Sequence, residues 1–255
     1  MGQETTFDNF RDMGGLSLPD GGRIKSGKLF RACKLRPKNA ADRKFLASLG
    51  LDSVVDLRTP EEVREKPDRL PRGTDYVNAS VFGETKFKIL APTRKSCLAM
   101  LRCTDEQFDE IIDGIRDAYA YMPYAKEAYS ELFRRMNEGR TIAFHCTAGK
   151  DRTGVAAMMI ELALGRTREQ AFAEYMRSNE RKGGSTAKLL KLLRPFKLSD
   201  KFYECVRYNS RVHAELFDRA WDAIFAKYET IGDFLLGEYG VTADNIAAWK
   251  RYYTE

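Results

Sequence analysis

The sequence predicts an α/β fold, with a mainly parallel central sheet flanked by helices. Two observations carry that expectation. Short β-rich runs alternate with segments of helical period, bounded by glycines, prolines and capping residues. The chain also has 255 residues, 43% of them hydrophobic, enough for one sizeable core. No internal repeat or low-complexity linker interrupts it, so residues 1–255 read as a single domain.

Residues 28–33, KLFRAC, are the first predicted strand. Residues 39–50 are a helix with Phe45, Leu46 and Leu49 at helical spacing, closed by Gly50 as a left-handed cap. Residues 53–58, SVVDLR, are a strand rich in β-branched side chains. At 59–66, Thr59 is an N-cap, Pro60 the first helical residue and Glu62 the third. Residues 75–82 are another strand. Residues 83–121 read as loops and short helices, including DEQFDEIIDGI. The next helix presents Ala125, Ala128, Tyr129, Leu132, Phe133 and Met136 on one face and ends at Gly139. Residues 141–146, TIAFHC, are a buried strand, and 152–165 a mostly apolar helix. In such sheets ligands bind beyond the C-terminal ends of the strands, and Cys146 stands at such an end.

The bulk numbers narrow the chemistry. The net charge of +6 suits an anionic substrate or an anionic membrane surface and is too diffuse to indicate nucleic acid. Five cysteines without paired spacing argue against a disulfide framework. Two histidines and no CxxC argue against a structural zinc site, and no metal or cofactor is expected. No apolar run reaches the length of a membrane helix. The N-terminus carries no secretory signal, and its match to a myristoylation pattern through Gly2 and Thr6 is read as chance. The location is expected to be cytoplasmic, or exported without a recognisable signal.

The stretch IAFHCTAGKDRTGVAAMMI, residues 142–160, concentrates the chemistry. A short loop between strand and helix aims backbone N–H groups inward and adds the positive helix end, which together bind an anion. Thr147, Ala148, Gly149, Lys150 and Thr153 are the expected substrate-binding residues, the small ones allowing close backbone approach. Arg152 would hold two phosphate oxygens. The same field favours thiolate at Cys146, poised for in-line attack on phosphorus. Thr153 could donate to the sulfur, and His145 would orient the loop. Spacing alone is weak evidence, because Cys205 and Arg211 share it without glycine, small residues or a preceding strand.

At these residues the chain resembles the Cys-based phosphatases. HCTAGKDRTG, 145–154, is similar to the signature of the atypical bacterial tyrosine phosphatases that also act on phosphoinositides. NFRDMGG (9–15), GGRIKSGKLFRACKL (21–35), VVDLRTPEE (54–62) and EYMRSNE (174–180) fit the same family. The resemblance implies a Cys-based phosphatase fold, a cysteinyl-phosphate intermediate, and no metal. It implies Cys146 as nucleophile and Arg152 as phosphate ligand. Lys150 would accompany activity on inositol phosphates. Phosphotyrosine protein, with dual specificity, and phosphoinositides are the expected substrates.

The leaving group needs a proton, and no Trp-Pro-Asp-like segment supplies one. Asp151 is the favoured acid and Glu84 the alternative; either could instead be a solvated loop carboxylate. Asp56 and Arg58 are expected to form a buried support pair. Residues 181–201 carry seven cations against Asp200, and read as an amphipathic surface helix, a helical lid hinged at Gly183 and Gly184, or a lipid-facing patch. A phosphate-binding module without turnover is the main alternative to the enzyme. A sulfurtransferase would not need Arg152, and an arsenate reductase would need resolving thiols that are not near Cys146 in sequence.

Overall fold

The protein is described by a computed structural model over residues 6–83, 85–180, 190–196 and 198–255. Five strands form one sheet: β1 (Arg11–Asp12), β2 (Leu29–Ala32), β3 (Ser53–Asp56), β4 (Asp75–Asn78) and β5 (Ile142–His145). Their spatial order is β1-β2-β5-β3-β4. The β2–β5, β3–β5 and β3–β4 pairs are parallel, and β1 joins β2 antiparallel. The short strand β1 is absent from the sequence-based reading, since two residues show no periodicity. The strand predicted at 75–82 closes sooner, at Asn78.

Strand β5 lies at the centre and all four of its residues are buried. Alternation along it sorts the core. Ile142 and Phe144 face the larger cluster with Leu29 and Val55, against α5 (Lys126–Asn137) and α6 (Asp151–Ala163). Ala143 faces the opposite cluster with Phe30, Val54 and Leu46, the last from α1 (Ala40–Ser48). Helix α6 has no polar face: past Asp151 every residue is buried, as a helix between sheet and outer helices requires.

Helix punctuation follows the sequence closely. Asn39 caps α1 through its side chain, and Gly50 adopts φ +60° just beyond it. Helix α2 (Pro60–Glu65) opens on a full capping box between Thr59 and Glu62. The stretch read as loops and short helices contains the short α3 (Arg94–Met100), and the helix at DEQFDEIIDGI runs further than expected, as the seventeen-residue α4 (Asp105–Tyr121). Helix α4 is amphipathic, and Phe108 and Ile112 pack on Phe202 and Cys205 in a satellite core apart from the sheet. Helix α7 (Arg168–Met176) follows α6, and the partner in that satellite core is α8 (Asp200–Ser210). Of the basic stretch 181–201, residues 181–189 and 197 lie outside the described residues, the proposed glycine hinge among them.

Candidate active site

Cys146 follows the last residue of β5 and is 1% exposed. The chain then bends through Thr147–Lys150 and enters α6 at Asp151. The predicted residues Cys146, Thr147, Ala148, Gly149, Lys150, Asp151, Arg152 and Thr153 thus share one loop and the first helical turn. Most helices here open on an Asn, Ser or Thr cap, but α6 has Lys150 at its N-cap and no side chain on its first amides. Those N–H groups remain for an anion.

The loop's carbonyls are held outward. Asn9 donates its amide to the carbonyls of Gly149 at 2.7 Å and Ala148 at 3.3 Å. Buried Arg31 donates to the Gly149 carbonyl at 3.3 Å. A planar peptide whose C=O points out must point its N–H the other way, so these bonds turn the amides of Gly149 and Lys150 inward. Asn9 does this from φ +56°, and its own side-chain oxygen accepts from Arg11. Gly149 takes φ +68°, and a Cβ there would stand 2.5 Å from the Ala32 carbonyl. No other residue fits between the loop and the end of β2.

Arg152 is buried and its two terminal nitrogens donate to Glu62, at 2.6 and 2.9 Å. Glu62 also accepts from the Thr59 N–H at 2.9 Å and from the Thr147 hydroxyl. This narrows what two of the predicted ligands can offer. The Thr147 hydroxyl is tied to Glu62, leaving its backbone for a ligand. Arg152 Nη1 also donates to the Leu57 carbonyl at 3.5 Å, so Nε–H and the second Nη2–H are what is left for two phosphate oxygens. Burial alone would push the Glu62 carboxyl up. The charge and hydrogen bonds of Arg152 overcome that and hold it at about 2, while Arg152 is pushed up in turn.

The same balance acts on the nucleophile. Burial would raise the Cys146 thiol. The Arg152 charge and the hydroxyl and N–H of Thr153 outweigh it, and the thiol stands below its ordinary value. The Thr153 hydroxyl is buried without another partner, free to serve the sulfur.

Behind the loop lies a closed ion-pair network. Asp56 and Arg58 form the expected buried pair at 2.7 Å. Arg58 also reaches Asp68 at 3.1 Å, and His145 lies 2.9 Å from Asp68. Burial would lower the His145 imidazole, but Asp68 and Asp56 raise it to about 9. Its Nδ1 lies 3.2 Å from the Cys146 carbonyl, so a cation stands behind the nucleophile's backbone. The ligand atoms of Asp56, Asp68 and His145 converge within 4.8 Å, and Arg58 supplies the positive charge between the two carboxylates.

Lys150 and Asp151 are paired with each other. Lys150 Nζ lies 3.0 and 2.9 Å from the two Asp151 oxygens, and donates to the Arg211 carbonyl at 3.2 Å. Lys150 is therefore not a free cation awaiting a second phosphate, contrary to the simplest expectation for it. Asp151 also accepts from Tyr119 at 2.6 Å, and Tyr119 accepts from Tyr175 at 2.9 Å. Burial, aided by the Asp151 charge, pushes both phenols far up, so both stay protonated donors. Glu84 lies outside the described residues.

Sequence reasoning missed Glu62, Asn9, Arg31, Tyr119 and Asp68. Glu62 already had a local explanation as a capping residue. Asn9 and Arg31 stood inside quoted motifs, NFRDMGG and KLFRAC, without a role.

Residues 3–255 match the tyrosine phosphatase family. A protein of Cupriavidus necator, named provisionally a tyrosine-protein phosphatase, is 36% identical over 178 residues, covering 69% of this chain and 62% of that protein. The triple specificity protein phosphatase PtpB of Mycobacterium tuberculosis is 31% identical over 188 residues, covering 68% and 67%. A tyrosine-protein phosphatase of Nostoc commune is 30% identical over 146 residues, covering 55% and 45%.

Proposed function

The chain belongs to the tyrosine phosphatase family, and from that premise we propose that it hydrolyses phosphomonoesters through a cysteinyl-phosphate at Cys146. The observation that carries this is geometric: Cys146, the amides turned inward by Asn9 and Arg31, and buried Arg152 meet in one loop at the start of a helix, and their field lowers the buried thiol. A buried cysteine without a purpose-built field goes the other way.

In the proposed reaction the phosphate sits on the amides turned inward by Asn9 and Arg31, with its oxygens on the free N–H groups of Arg152. The Cys146 thiolate attacks in line; the S–P bond forms as the ester P–O bond breaks. Asp151 protonates the leaving oxygen, held in place by Tyr119. Water then attacks phosphorus, Asp151 takes its proton, and the Thr153 hydroxyl eases departure of the thiolate. No step needs a metal.

Phosphotyrosine proteins are the proposed substrates, with phosphoserine, phosphothreonine and phosphoinositides also accepted. The name of the Mycobacterium tuberculosis relative, a triple specificity phosphatase, supports that breadth. A phosphoinositide would use Lys150 only by drawing it from Asp151.

The test is phosphate release from an aryl phosphate, a phosphotyrosine peptide and a set of phosphoinositides, in the presence of a chelator, by the parent and by Cys146→Ser. The variant should lose at least about a thousandfold in turnover while still binding phosphate. Turnover that survives the substitution, or that chelator abolishes, contradicts the mechanism. A parent that binds phosphate without turnover is a binding module instead.

A further inference from the structure

The rim of the site carries a charged feature outside the loop. Two segments meet there, residues 33–39 leaving the C-terminal end of β2 and residues 63–69 at the end of α2. Their backbones are joined: the Arg69 N–H donates to the Leu35 carbonyl at 2.9 Å, and the Leu35 N–H donates to Asp68 at 2.8 Å. Asp68 also lies 2.9 Å from His145, so the joined segments flank the strand that leads into Cys146.

These segments present Lys34, Arg36, Lys38, Arg64, Lys66 and Arg69, and none of the six forms an ion pair among the described residues. Elsewhere Arg116, Arg134, Arg140, Arg168, Arg177 and Lys201 pair with carboxylates; other cations without an ion pair among the described residues, such as Arg43, Arg72 and Arg219, exist, but here six stand together on two joined segments. Three of the acids near the rim are turned inward, while Glu61 and Glu65 stay part-exposed. Asp68 serves Arg58 and His145, Glu62 serves Arg152, and Asp42 is buried against Thr6 and the Lys38 N–H. A cluster of cations left without partners projects a positive field beside the pocket.

An apolar element adjoins it. Glu65 accepts from the Arg94 N–H at 2.9 and 3.1 Å, which brings α3 onto the same rim. Helix α3 exposes Leu98 at 64%, followed by Leu101 at 41%, beside Arg94 and Lys95. Cations flanking exposed leucines match the headgroup and upper acyl region of an anionic bilayer. An acidic protein would account for the cations and leave the leucines unexplained.

We propose that this rim docks the protein on an anionic lipid bilayer. The surface is distinct from residues 181–201, where the sequence alone suggested a lipid-facing patch. Docking stands apart from the phosphatase reading; the consequence that the Cys146 pocket then meets phosphorylated headgroups rests on it.

The test is cosedimentation of the full chain, as Cys146→Ser, with phosphatidylcholine vesicles that contain or lack phosphatidylserine. Binding should require phosphatidylserine and weaken with salt. Each Lys or Arg near such a surface contributes roughly fivefold in partitioning, so the triple variant Arg36→Ala/Lys38→Ala/Arg69→Ala should bind roughly a hundredfold less. Leu98→Ser/Leu101→Ser should lose about tenfold with the salt dependence unchanged. In the Cys146-containing protein, all five substitutions should leave melting temperature and turnover of a small aryl phosphate unchanged. Equal binding to both vesicle types, or a triple variant that binds like its parent, overturns the proposal. So does a parent that ignores vesicles while the triple variant raises KM for an acidic phosphopeptide, which makes the rim a protein-binding surface. A protein that binds vesicles but hydrolyses no aryl phosphate supports docking and refutes the phosphatase reading alone.

Discussion

Two segments of this chain place an arginine six residues after a buried cysteine, and the two thiols are driven in opposite directions. Cys146 is held below its ordinary value. Cys205 is pushed up to about 11, chiefly by burial, with Cys103, Glu204 and Asp109 adding to the shift. The difference is the path of the backbone. Cys205 lies on α8, where six residues advance the chain by about 9 Å and turn it well off the starting face. Arg211 ends that helix and, among the described residues, meets the site through its carbonyl, which accepts from Lys150. Between Cys146 and Arg152 the chain folds into a cup whose carbonyls are tied back, so charge and amides converge on the sulfur. Burial is common to both; what decides the sign is whether donors were arranged to meet it.

The largest way to break the contrast is to remove the partner of Arg152. Glu62→Gln keeps the shape and leaves a buried cation without its carboxylate. It should cost about 3–5 kcal/mol in denaturant unfolding, and lower kcat/KM by about a hundredfold as Arg152 loses its position. The pH dependence has a definite sign. Glu62 titrates at about 2 in the folded protein, so the unfolded chain takes up that proton first. Its contribution is full above about 4.5 and fades as pH falls towards 2. The parent should show that acid-side loss of stability, and Glu62→Gln should lack this increment.

A smaller effect is expected where the loop carbonyls are tied. Asn9→Gly keeps the left-handed backbone and deletes both donors. Vanadate inhibition should weaken by about tenfold, because the freed carbonyls let the amides turn away. Asn9→Ala should match that loss and cost about a further 1 kcal/mol in stability, from holding a Cβ at positive φ. Equal stability of the two variants, with vanadate binding intact, would remove Asn9 from the account.

The smallest effect belongs to the second cysteine. Cys205→Ala should cost about 1 kcal/mol through lost packing in the satellite core and leave turnover unchanged. A loss of activity would mean that the helical segment reaches the site after all.

Most of the fold was legible because its signals are local. Strand β5 is a continuous apolar run, and Thr59 with Pro60 and Glu62 announces α2 before any tertiary contact exists. Helix α4 was read only as a short element at DEQFDEIIDGI, although the signal for its full length was present: Thr104 and Gln107 form a capping box, and Phe108, Ile111, Ile112, Ile115 and Tyr119 keep helical spacing. At the site, the loop residues were legible because the motif is contiguous. Glu62, Asn9, Arg31 and Tyr119 act across 90, 140, 118 and 32 positions of chain, through contacts no window of sequence contains. Lys150 and Asp151 were visible as residues but not as partners of each other.

The central claim is that the loop holds Cys146 as a thiolate against its burial. Its most direct test is the pH dependence of Cys146 alkylation by iodoacetamide, followed as modification of that residue in the parent and in Arg152→Ala. The midpoint should lie below the ordinary thiol value of about 8.5 in the parent and shift upward past it when Arg152 is removed. A parent midpoint at or above the ordinary value, or one that Arg152→Ala leaves in place, would contradict it.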